Sequence, residues 1–202
     1  VEGQLINQAR PFTFMPGRRK QIWNKNCIAI GLSSGFLEPL ESTSISLIQS
    51  AIDKLLTFFP DMSFNQDDIN EVNRLHNTEL EHIRDFLIIH YKLSQREDSE
   101  FWRYCRTMDI PDSLAHKIAL FESRGHIIER ECESFEPASW LTMYDAFGLT
   151  PKRYDVRADN YSDEVISKNL AQIHQSVTNA VAQAISHQSF IDKHCKAMVP
   201  AK

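Results

Sequence analysis

Apolar residues recur at spacings of three and four along most of this chain, with polar residues filling the positions between. From Ser42 onward Ile45, Ile48, Ile52, Leu55 and Phe59 mark one helical face, and Pro60-Asp61 closes the run. Ile69, Val72, His76, Leu80, Ile83, Leu87 and His90 mark a second face, which predicts a long helix over roughly 66–93 capped by Asn65 or Asp67. Shorter helices are predicted over 99–106, 112–122 and 137–147. A last long one is predicted over roughly 163–188, from Ser162-Asp163 through Val165, Leu170, Ile173, Val177, Val181 and Ile185. "LTPKRYDVRADNYSDE", 149–164, reads as a turn-rich connector. Only the front differs. "QLINQARPFTFM", 4–15, and "NCIAIGL", 26–32, are short apolar segments bounded by Pro11, Pro16-Gly17 and Gly31, the pattern of strands. The expected fold class is mainly α with a few short strands at the N-terminal end.

Composition narrows the functional classes. The 202 residues are 42% hydrophobic and 24% charged, with a net charge of -5, which is ordinary globular material and disfavours a nucleic-acid partner. No apolar run approaches the ~18 residues that would span a bilayer, so no membrane partner is expected and the cytoplasm is the default location. Cys27, Cys105, Cys132 and Cys195 form no CxxC pair, so neither disulfides nor zinc are signalled. The six glycines fit neither GxGxxG nor GxxxxGK[ST], and the serines form no G-x-S-x-G elbow. The eight histidines include no HExxH; Glu79, His82 and His90 share a helix without converging, and no metal is expected.

Chemistry concentrates in "GLSSGFLEPLESTSISLIQ", 31–49. Pro39 fixes its own backbone and holds Glu38 extended, so the chain enters the following helix through a defined bend. Glu41, Ser42, Thr43 and Ser44 then fall at a first turn whose free amides favour an anion. Two readings follow: a cap in which Glu41 or Ser42 takes those amides, or a small-anion site beside an acidic side chain. In the second, Ser33, Ser34 and Gly35 let a flat ligand approach the backbone. Glu38, separated from the helix by Pro39, reads as structural. Arg18, Arg19 and Lys20 read as solvated or ion-paired surface, with a phosphate-binding patch the lesser alternative.

"GRRKQIWNKNCIAIGLSSGFLEPLESTSISLIQ", 17–49, combines a Gly-Arg-x4-Trp-x2-Asn-Cys lead-in with an IGLSSGFLEPLEST core and the helix after it. In this it resembles the flavin-dependent tryptophan halogenases. The resemblance implies the C-terminal helical part of an FAD monooxygenase-like α+β fold. Residues 1–35 would complete the flavin domain and 36–202 would cover the substrate. The glycine-rich FAD loop, catalytic lysine and WxWxIP motif would lie outside this chain, leaving it inactive alone. It also implies reduced FAD from a separate flavin reductase, oxygen and halide, together chlorinating or brominating an aromatic, indole-like substrate such as tryptophan or indole.

By the same resemblance Thr43 and Ser44 would hold halide through backbone amides, although the family often has glycine at the Ser44 position. Glu41 would stand at the substrate end, orienting the halogenating species and removing the ring proton. Leu32 and Ile45 would touch the flavin. Trp140 is a candidate aromatic wall, although an aromatic on an amphipathic helix is more often a core residue. A homodimer is left open. The block "FESRGHIIERECESFEPASWLTMYDAFGLTPKRYD", 121–155, lacks the Tyr-Tyr-x5-Glu-x3-Phe-Trp array that encloses free tryptophan. It looks more like a branch with an S-R-G…S-W…G-x-x-P-x-x-Y-D pattern. The alternatives are a non-catalytic helical interaction module that keeps the motif as a cap, and a flavin monooxygenase that does not halogenate.

Overall fold

The computed structural model describes residues 7–195. The chain forms two compact units, Val1–Arg153 and Tyr154–Lys202, with the boundary inside the turn-rich connector. The mainly helical fold class holds, and the strands are shorter and differently placed than the apolar segments suggest.

Residues 4–6 of the first expected strand lie outside the described residues, and 7–15 form none. Among the described residues four two-residue strands occur instead: β1 (Gly17–Arg18), β2 (Trp23–Asn24), β3 (Cys27–Ile28) and β4 (Gly35–Phe36). β1 pairs antiparallel with β4, Gly17 opposite Phe36, and β2 pairs antiparallel with β3, Trp23 opposite Ile28. A Cβ on Gly35 would stand 2.8 Å from the Gly17 carbonyl oxygen, so β1 and β4 can approach only because residue 35 is glycine.

The helices follow the predicted order. They are α1 (Ser44–Thr57), α2 (Gln66–Lys92), α3 (Glu100–Thr107), α4 (Asp112–Arg124) and α5 (Pro137–Ala146). Asn65, not Asp67, caps α2, its side chain accepting from the Asp67 amide. α2 is the central element. Beyond the predicted face it also buries Asn73, Glu79, His82, Asp85, Phe86 and Ile89, because neighbours pack on more than one of its sides. Phe86 and Ile89 join Leu114 and Phe121 of α4 and Trp140 and Tyr144 of α5 in the main core. A second core places Ile22 and Trp23 against Ile69 and Val72. Asn73 stitches that hairpin to α2: its carbonyl oxygen accepts from the Ile22 and Trp23 amides and its amide donates to the Trp23 carbonyl.

α1 departs from expectation. Ala51 is buried, with Leu47, Leu55 and Phe58 partly buried on its side, whereas Ile45, Ile48, Ile52, Leu56 and Phe59 are exposed. The helix is apolar on two sides, and this unit covers one of them.

In the second unit, α6 (Asp163–Gln183) is capped by Ser162 and stops at Ala184, short of the expected 188. α7 (His187–Phe190) restarts after its own cap, Ser186. Leu170, Ile173, Val177 and Val181 of α6 are exposed.

Candidate active site

The site is built by the turn that precedes α1. Pro39–Glu41 form one 3-10 turn, closed by the Ser42 amide donating to the Pro39 carbonyl at 3.1 Å. Ser42 then takes a left-handed backbone, φ 53. These bends set Thr43 ahead of α1, and no side chain caps the helix there. The capping reading is overturned. Glu41 is drawn away to His90, whose Nε2 lies 2.7 Å from Glu41 Oε1, and the left-handed bend carries Ser42 outside the helix.

The first-turn amides of α1 therefore have no intrahelical or side-chain partner, and the terminus keeps its partial positive charge. Thr43 and Ser44 line a cavity of about 40 Å³ together with Leu32, Gly31 and Ile48. A water-sized species needs about 10–15 Å³ of such space, so the cavity has room for a small ion. Leu32 and Ile45 are 74% and 71% exposed, leaving apolar surface uncovered next to the helix terminus.

The small residues upstream act differently from expectation. Gly35 admits β1, Ser34 is buried with its hydroxyl donating to the Gly31 carbonyl at 2.7 Å, and a Cβ on Gly31 would meet Ile48 at 3.2 Å. What they let close to the backbone is the chain itself. Of the basic cluster, Arg18 is ion-paired with Glu81 at 2.7 Å and also bonds Asn77, and Arg19 donates to the Ser33 carbonyl.

Glu38 has a specific structural partner. Tyr91, adjacent to His90 on α2, donates its hydroxyl to Glu38 Oε1. Burial, and then that carboxylate, push the Tyr91 phenol up to about 12. Consecutive residues of α2 thus hold the two carboxylates on either side of Pro39. The sequence marks His90 only as a face position; a pairing across 49 residues leaves no trace in periodicity.

Trp140 is corrected from substrate wall to core. It is 1% exposed, packed edge-on against Phe86 and beside Tyr144, with the Lys117 ammonium 3.9 Å from its ring centre. The cause is that α5 presents it to α2 and α4. A larger cleft of about 530 Å³ lies further along α1, lined by Ser50, Lys54 and Glu79 among others, and holds none of the predicted site residues. There Lys54 and Glu79 form a largely buried ion pair at 2.7 Å.

A helix start with no side-chain cap, a carboxylate pinned by His90 and bare apolar surface thus lie together at the turn before α1. Over 93% of this chain the structure matches BrvH, a flavin-dependent halogenase from Brevundimonas sp. BAL3, with TM-score 0.84 and 46% identity, covering 38% of that protein. It matches Xcc4156, a flavin-dependent halogenase from Xanthomonas campestris, over its whole length with TM-score 0.89 and 40% identity, covering 41% of that protein. A 7-chloro-L-tryptophan 6-halogenase of Kutzneria sp. (strain 744) is 42% identical over 108 residues, which are 54% of this chain and 21% of that protein. The profile of the tryptophan halogenase family matches residues 1–163, and the chain belongs to that family. It spans about a fifth of this curated relative and about two fifths of the two solved halogenases.

Proposed function

We propose that this chain is the C-terminal, substrate-side portion of an enzyme that chlorinates or brominates an indole-like aromatic, tryptophan or indole, using reduced FAD, oxygen and halide. The observation that carries this reading is the uncapped start of α1 beside a cavity with room for a small ion, with Glu41 held just upstream. Residues 1–35 would lie against the flavin domain in the complete enzyme.

When bound, reduced flavin and oxygen supply the oxidising equivalent that makes the halogen electrophilic. The residues fit such a group: Leu32 and Ile45 offer bare apolar contact for a flat ring system. The amides of the first turn at Thr43 and Ser44 hold the halide, whose charge the helix terminus favours. Glu41 orients the electrophile and accepts the proton that the aromatic carbon releases on substitution. Arg18, already paired with Glu81, takes no part. A separate reductase delivers the flavin, and the enzyme works in the cytoplasm; among the described residues no helix is long and apolar enough to cross a membrane.

The test uses the complete enzyme with FAD, a flavin reductase, oxygen, and chloride or bromide. Indole or tryptophan gains the mass of the halogen supplied. Oxygen consumption without halogen incorporation sinks the reading. Glu41→Gln lowers turnover on the order of 100-fold, as expected for loss of a positioned base, with flavin binding retained.

A further inference from the structure

His90 is hydrogen-bonded at both ring nitrogens. His90 Nδ1 lies 2.8 Å from the Phe86 carbonyl oxygen and Nε2 lies 2.7 Å from Glu41 Oε1. A carbonyl can only accept, so Nδ1 carries a hydrogen and donates it. In a neutral ring with that tautomer Nε2 is a bare lone pair, and an ionised carboxylate also only accepts. Two acceptors do not close to 2.7 Å without a proton between them. A hydrogen bond between Nε2 and Oε1 thus needs a proton on the axis that joins them.

The ring itself is fixed by the core. It stands edge to face on Phe86, with centroids 5.3 Å apart, and Phe86 is stacked on Phe135 and set against Trp140. The His90 side chain is 16% exposed while that of Glu41 is 33% exposed. The anchor is thus more buried than the group it holds. Glu41 Oε2 makes no hydrogen bond to any described residue, so one oxygen is tied and the other is free.

We propose that His90 is the positioning residue for Glu41. By occupying Oε1 through a shared proton it fixes the carboxylate on the side of the turn away from the α1 amides and leaves Oε2 as the oxygen that meets the reaction. Without it, Glu41 is free to swing onto the open terminus of α1, where it would cap the helix and compete with the anion. The inference rests on the assignment of Glu41 to the halogenation step.

Two variants of the complete enzyme separate positioning from general structural loss. In His90→Asn the amide nitrogen can replace Nδ1 toward the Phe86 carbonyl but does not reach Glu41. In His90→Gln the longer amide can replace Nε2 and donate to Oε1. His90→Asn is expected to lower kcat on the order of 100-fold, the size of effect that a 1 Å misplacement produces, with the aromatic KM and flavin binding within about twofold of the parent. His90→Gln is expected to recover most of that loss. In ¹⁵N-histidine spectra of the same enzyme, Glu41→Gln is expected to move the His90 Nε2 resonance and leave Nδ1 in place. An equal loss in both His90 variants, a loss in neither, or an unmoved Nε2 resonance overturns the proposal. Unchanged turnover in Glu41→Gln instead removes the halogenase reading of Glu41 itself, whatever His90 does.

Discussion

The main core and α1 answer the same sequence pattern in opposite ways. In the core, the apolar faces of α2, α4 and α5 meet one another, and Phe86, Leu114, Trp140 and Tyr144 are all almost fully buried. In α1, Ala51 is buried on one side while Ile45, Ile52 and Phe59 stay open on the other. A helix apolar on two sides is sandwiched in its finished setting. The difference separates the part of the protein that completes its own packing from the part whose edge holds the proposed site. It also explains why an aromatic such as Trp140 is structural while a modest Leu32 is the better candidate for cofactor contact.

That contrast can be broken most forcefully at its buried pole. Trp140→Ala is expected to cost about 3–5 kcal/mol in denaturant unfolding, as large-to-small core changes do. A cost near zero would return Trp140 to the list of substrate contacts. Asn73→Ala comes next. It orphans the Ile22 and Trp23 amides and the Trp23 carbonyl, and at the low end of about 1 kcal/mol for each group left unpaired a total of about 3 kcal/mol is expected in the same measurement.

Acid provides a third probe. Both ring nitrogens of His76 are buried without a hydrogen-bond partner among the described residues, and burial pushes its pKa below the ordinary 6.5. The unfolded chain then binds a proton that the folded chain refuses. Stability is fully present above pH 6.5 and falls as the pH drops below it, by at most about 1.4 kcal/mol per pH unit from this one group. Urea titrations on either side of that value measure the slope, and His76→Leu is expected to flatten it. Ile52→Ser, at the open side of α1, is expected to change stability by no more than about 0.5 kcal/mol, as at other exposed positions. A cost like that of Trp140→Ala would mean that α1 is covered on both sides within this unit.

Most helices were legible because each is encoded by neighbours three and four residues apart, and α2 through α5 appear within two residues of their predicted limits. The strands were not, since two-residue ladders carry no period of their own and Gly35 is fixed by an approach from Gly17. The same limit applies to the site. Pro39, Glu41 and the first turn of α1 are contiguous and could be read directly. The hold of His90 on Glu41, the hold of Tyr91 on Glu38 and the interior place of Trp140 depend on helices meeting in space. For α1 the pattern named one apolar face, and only the packing of Ala51, Leu47 and Phe58 revealed the other.

The stretch of α2 between Asn73 and His90 acts as a ruler. One end is stitched to the hairpin of Trp23 and the other grips the turn at Glu41, with about 25 Å of helix between them at 1.5 Å per residue. Inserting or deleting a single residue there would rotate the grip by about 100° relative to the stitch, taking both His90 and Tyr91 off their carboxylates together. Surface loops elsewhere can lengthen or shorten as the protein diverges; this interval can vary its letters but not its length.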